Sequence, residues 1–316
     1  MFLSQAFRHQ NELWKYAIGF IIIMVAYFIG QLPLTAAVLL KVFLEDAPMP
    51  TTNDEVFGFF TPNLTFFLML LIFVFALAAL YLVVKKLHKQ PFLEVTTARK
   101  KVDWNRIFFS FSLWGAFTVI TTVVAYYLNP GDYIVNFKLG PFLILSVIAI
   151  VLIPIQTSFE EYLFRGYLMQ GFGMMARNKW VPLVLTSVIF GSMHLLNPEV
   201  EKMGYIILVY YIGTGFLLGI LTLMDEGMEL SLGFHAANNL FGALLVTADW
   251  TVFKTDSILR DIAEPTAGFD VLLPVCIVYP ILLIIFSKKY NWTGWKEKLT
   301  GKLYPELKTE NNEIAN

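Results

Sequence analysis

Long apolar runs dominate the chain, and polar residues collect between them. Eight runs are long enough to cross a hydrocarbon core, which takes about 20 apolar residues per helix. They cover about 16–40, 63–84, 106–128, 141–162, 180–197, 204–223, 230–247 and 271–287. The runs are continuous, whereas the strands of an outer-membrane barrel would alternate. The fold class predicted is all-α, a polytopic membrane helical bundle of about eight transmembrane helices. The first run is too long for a signal-peptide core and is read as an anchor.

Composition agrees with the pattern. Hydrophobic residues make up 57% and charged residues 15%, against roughly a quarter charged in soluble domains. Too little charged surface remains to cover a soluble globule of this size. This excludes a disordered chain, a nucleic-acid binder and an ordinary cytosolic enzyme. Cys276 is the single cysteine, so an internal disulfide and a cysteine-only metal cluster are excluded as well.

Charge is segregated along the chain. Lys85, Lys86, Lys89, Arg99, Lys100, Lys101 and Arg106 follow the second run. Lys288, Lys289, Lys296, Lys298, Lys302 and Lys308 follow the last. The stretches 41–62 and 248–270 are mainly acidic. The positive-inside rule predicts a multi-pass protein of the cell membrane with both termini cytoplasmic.

Three polar islands interrupt the apolar runs. They are Glu160-Glu161-Tyr162-Leu163-Phe164-Arg165, Phe190-Gly191-Ser192-Met193-His194, and Phe234-His235-Ala236-Ala237-Asn238-Asn239. Ionisable groups inside a membrane are costly and mark function by default. Glu161 and Arg165 are four apart, so they share a helix face and can pair. Glu160 is turned roughly 100° away, free to face the bundle interior and to act as a general base. His235 and Asn239 are also four apart and can address one point, and Phe190 can wall a pocket beside His194. Each island has a plainer reading: an interfacial charge cluster, an interhelical hydrogen bond, or packing amides. Three islands with acid, imidazole and amide chemistry point instead to one site.

The order EExxxR, FxxxH, HxxxN resembles the CPBP group. This group includes the type II CAAX prenyl endopeptidases, also called Abi or Rce1-like intramembrane proteases. The matching residues are Glu160, Glu161 and Arg165, then Phe190 and His194, then His235 and Asn239. The resemblance covers about 141–247, which would be the catalytic core. Residues 1–140 would supply the first three spans and the basic loop, and 248–316 the outer loop, last span and basic tail.

The resemblance implies an intramembrane endopeptidase with a cavity open to the cytoplasm. Its substrate would be a membrane-anchored or membrane-associated protein or peptide. Glu160 would activate water, and His194 would hold that water or the substrate. His235 and Asn239 would stabilise the oxyanion, while Glu161 and Arg165 would shape the site. Many bacterial members carry a basic Arg-Thr-Gly-like turn before the third motif. Here the segment reads Met224-Asp225-Glu226-Gly227-Met228-Glu229, an acidic border on the expected mouth of the cavity.

Neither a GxSxG elbow nor an HExxH helix is present. Glu160, His194 and His235 would nevertheless make a two-histidine, one-carboxylate zinc site. A metal-free glutamate mechanism, needing no cofactor, fits the same groups and is the preferred reading. Other classes stay open: a proton- or cation-coupled transporter, or a catalytically silent membrane scaffold or immunity protein. No internal repeat of the kind that builds transporters stands out.

Overall fold

The computed structural model describes residues 1–9, 12–265 and 268–305. Lys308 of the basic tail lies outside the described residues. The helices are α1 (Leu13–Gly30), α2 (Leu32–Glu45), α3 (Asn53–Phe57), α4 (Pro62–Leu82), α5 (Trp104–Leu128), α6 (Leu139–Glu161) and α7 (Met169–Ala176). They continue as α8 (Trp180–Ser192), α9 (Pro198–Met203), α10 (Ile207–Asp225), α11 (Glu229–Leu245), α12 (Phe269–Leu273), α13 (Tyr279–Tyr290) and α14 (Trp295–Thr300). Three short strands, β1 (Tyr133–Val135), β2 (Val246–Ala248) and β3 (Leu259–Asp261), form a small sheet with β3 in the middle.

Among the described residues, six helical stretches are long and apolar enough to cross a membrane: 13–45, 62–87, 104–128, 139–176, 207–225 and 271–290. The all-α membrane bundle is therefore present. The fifth and seventh predicted runs are shorter than expected, at 13 residues in α8 and 17 in α11. They rise roughly 20 and 26 Å, short of a core of about 30 Å. A helix that stops short carries its end residues to mid-depth. The 38-residue stretch 139–176 errs the other way. It rises roughly 57 Å, so one end runs past the hydrocarbon. A π-helical turn, Tyr162–Leu168, joins α6 to α7 within it.

The long helices are apolar on every face, as a helix between protein and lipid must be. Phe28, Tyr127 and Val147 point outward, while inward faces build several clusters. One joins Ile23, Leu80, Phe159 and Phe190 from α1, α4, α6 and α8. Another joins Trp114, Leu218, Phe234 and Phe286 from α5, α10, α11 and α13.

Close backbone approach sets two contacts beside the polar islands. At Gly215 of α10, a Cβ would sit 2.7 Å from the Ser187 carbonyl of α8. At Gly233 of α11, a Cβ would collide with the Ile107 carbonyl of α5. Small residues at helix crossings are how membrane helices pack tightly without a hydrophobic driving force.

The end of the bundle that carries the basic loop is closed by ion pairs. Arg99 meets Asp225 at 2.9 Å and Glu229 at 3.0 Å. Arg106 meets Asp225 at 2.5 Å, and Lys298 meets Glu226 at 2.7 Å. The acidic segment 224–229 is thus consumed internally. None of its residues is among those that line the cavity described below.

Candidate active site

The three polar islands come together where α6, α8 and α11 meet. Glu161 is fully buried. Its Oε1 accepts from Arg165 Nη1 at 2.9 Å and from His235 Nδ1 at 2.8 Å. The i,i+4 spacing brings Arg165 onto that oxygen. Arg165 also donates to the Gly215 carbonyl at 3.2 Å, and its guanidinium lies 4.4 Å over the Phe190 ring. Phe190 therefore faces both the cavity and the ion pair. Glu161 Oε2 and Arg165 Nε have no hydrogen-bond partner among the described residues.

His235 is held between two carboxylates. With Nδ1 donating to Glu161, its Nε2 lies 3.4 Å from Glu160 Oε2. Glu160 thus faces the bundle interior, where a side chain of another helix meets it. Its other oxygen accepts from Gln156 Nε2 at 2.6 Å. Gln156 Oε1 in turn accepts from Asn239 Nδ2 at 2.9 Å, and Asn239 Oδ1 accepts from Asn238 at 3.1 Å. Asn238 is anchored by the Trp114 indole at 3.1 Å. His235 and Asn239 thus reach opposite oxygens of Glu160, one directly and one through Gln156.

The sequence reading missed Gln156. It lies four residues before Glu160, the same spacing that flagged Glu161 and Arg165. An amide in an apolar helix, one turn from an acid, was the available signal.

His194 lies just past the end of α8. Its Nδ1 donates to the Phe190 carbonyl at 2.9 Å, which leaves Nε2 with a free lone pair. Its ring stacks on Tyr211 with centroids 4.1 Å apart. No hydrogen bond joins it to Glu160 or His235 among the described residues. All three nevertheless line one cavity of about 480 Å³, together with Phe190 and Asn239. Glu161 and Arg165 sit behind that wall.

The cavity lining draws on several segments of the bundle. Besides Glu160 and His235 it includes Asn197 and Glu199, and Thr251–Phe253 of the stretch 248–270. No residue of the basic loop 85–106 lines it. The ion pairs described above lie at the basic-loop end, and the lining instead takes residues from the acidic stretch 248–270.

Among the described residues, no group of three or more His, Cys, Asp or Glu converges to hold a metal ion. Each His235 nitrogen faces a carboxylate, and His194 stands apart against Tyr211. A metalloprotease-like description is not supported.

Comparison with known proteins adds to this picture. The family model for type II CAAX prenyl endopeptidase Rce1-like proteins matches residues 137–241. That span contains all seven motif residues from Glu160 to Asn239. The chain is 32% identical over 247 residues to the uncharacterized protein YyaK of Bacillus subtilis (strain 168), covering 77% of this chain and 81% of that one. No solved structure matches. With its motifs gathered on one cavity inside an apolar bundle, the chain belongs to the Rce1-like family of type II CAAX prenyl endopeptidases, a family of multi-pass membrane proteases.

Proposed function

We propose that the protein is an intramembrane endopeptidase that hydrolyses a peptide bond of a membrane-associated protein or peptide. One observation carries the reading: Glu160 and His235 face each other on a cavity wall, with Glu161 behind them fixing the imidazole. Two facing acceptors need a proton between them. With that proton on His235, the charges of Glu160, Glu161, Arg165 and His235 cancel, which a membrane interior favours.

In this scheme Glu160 is the general base. It takes a proton from a water that the free lone pair of His194 holds. The hydroxide adds to the scissile carbonyl. His235 Nε2–H and the second Nδ2–H of Asn239 donate to the oxyanion, the interaction that strengthens as charge develops. Glu160 then passes its proton to the leaving amine as the carbon–nitrogen bond breaks. Water and one amide become one acid and one amine. No metal takes part. The catalytic work falls to 141–247, and 1–140 and 248–316 supply the scaffold.

The test compares membrane peptides from a host expressing the wild type with those from one expressing Glu160→Gln. New termini appear with the wild type alone. Identical termini in both would end the protease reading. Dialysis against a chelator, with metal analysis of the purified protein, leaves activity intact if the scheme holds.

A further inference from the structure

The scheme above uses one end of the cavity. The other end holds a second carboxylate with no role so far. Glu199, in α9, lines the cavity beside Asn197 and Tyr211. Its Oε1 accepts the Val252 amide at 3.0 Å. Its Oε2 is enclosed and has no hydrogen-bond partner among the described residues. Burial pushes its pKa up, and the Val252 amide works against that shift. Tyr211 connects the two ends, since its ring stacks on His194 and its hydroxyl bonds Asn197.

Among the described residues the lining has two acids, Glu160 and Glu199, and neither lysine nor arginine. A buried carboxylate oxygen without a donor is costly, and the cavity's own side chains leave this one unanswered. The volume of about 480 Å³ lies within the ~300–1,000 Å³ range of ligand pockets. A carboxylate terminus placed at this end would meet a like charge with no cation to offset it.

We infer that Glu199 forms a subsite for a cationic group of the occupant, a lysine or arginine side chain or a free amino terminus, bound at the far end of the cavity from Glu160. The occupant is the substrate if the protease reading is right, but the subsite itself needs no turnover.

The experiment therefore measures binding in the Glu160→Gln background, in detergent. The probes are short blocked apolar peptides carrying one lysine, moved a position at a time, with matching glutamine and glutamate series. A further arm leaves the amino terminus free, to separate the two sources of positive charge. At one register the lysine or free-amine probe binds about tenfold or more tighter than the glutamine probe, and the glutamate probe binds worst. Adding Glu199→Gln, which keeps an acceptor for Val252, removes that preference and leaves glutamine-probe affinity unchanged. Glu199→Asp, which keeps the charge, retains it.

Equal binding of lysine and glutamine probes would overturn the inference. So would a preference that survives Glu199→Gln, or one lost equally in Glu199→Asp. Failure of every probe to bind would overturn it too. Cleavage of the same peptides by the wild type, read by mass spectrometry, tests the protease reading separately.

Discussion

Glu161→Gln probes the centre of the site. In the wild type, Glu161 Oε1 receives both Arg165 Nη1 and His235 Nδ1, and both Glu161 and Arg165 are fully buried. The amide keeps the shape and one acceptor but removes the charge. Arg165 then remains buried beside a neutral amide, the Gly215 carbonyl and the Phe190 face, without its paired charge. Removing one partner of a buried pair costs about 3–5 kcal/mol. The assay is reversible unfolding of the purified protein in mixed micelles. A second variant, Glu161→Leu with Arg165→Met, removes both charges together. Replacing a buried pair by apolar side chains of similar volume is often neutral or stabilising, so stability returns to within about 1 kcal/mol of the wild type. Cleavage stays lost, because His235 Nδ1 no longer has a carboxylate to fix its tautomer. A loss below about 1 kcal/mol in Glu161→Gln would refute the claim that this pair is a buried, coupled unit. An active double variant would refute the role given to Glu161 in orienting His235.

Other outcomes follow from neighbouring geometry. Gln156→Leu removes the donor to Glu160 and the acceptor for Asn239; loss of a charge-assisted hydrogen bond of about 1.5–3 kcal/mol lowers kcat/KM by about 10–100-fold, measurable on any peptide the wild type cleaves. Gly215→Val forces α10 away from the Ser187 carbonyl and destabilises by about 1–3 kcal/mol, read as a lower unfolding midpoint. At the basic-loop end, burial pushes the Glu226 carboxyl up, but the Lys298 ammonium and the Phe2 amide outweigh it and hold the carboxyl below its ordinary range. Its contribution is present above the ordinary carboxylate pKa and is lost as pH falls through the lowered folded value. Proteolysis of the first residues therefore rises on acidification in the wild type, and that rise is missing in Glu226→Gln.

Much of the site was legible in the chain because helix spacing is local. The 161/165 pair needs only 3.6 residues per turn, and the structure brings Arg165 onto Oε1 of Glu161. The same rule covered Gln156, but a lone glutamine in an apolar helix carries no charge to draw attention. His194 and His235 were harder to place in depth, because hydropathy gives the extent of an apolar run and not where its helix stops. The shortness of α8 and α11 resolves this. An apolar run reads the same whether its helix ends at the membrane surface or inside the bundle, since lipid and protein interior are equally apolar.

By itself the sequence determined that this is a membrane bundle, where its apolar runs lie, and which acid, imidazole and amide groups resist burial in lipid. Those properties follow from solvation and helical periodicity, and both act residue by residue. Only the tertiary structure decided that His235 stands between two carboxylates, that Gln156 links Glu160 to Asn239, and that the acidic turn at 225–229 is taken up by Arg99, Arg106 and Lys298. It alone decided that the hollow is lined by Glu199 and by part of the stretch 248–270. These are pairings between segments far apart in the chain, and which donor meets which acceptor depends on how the helices cross.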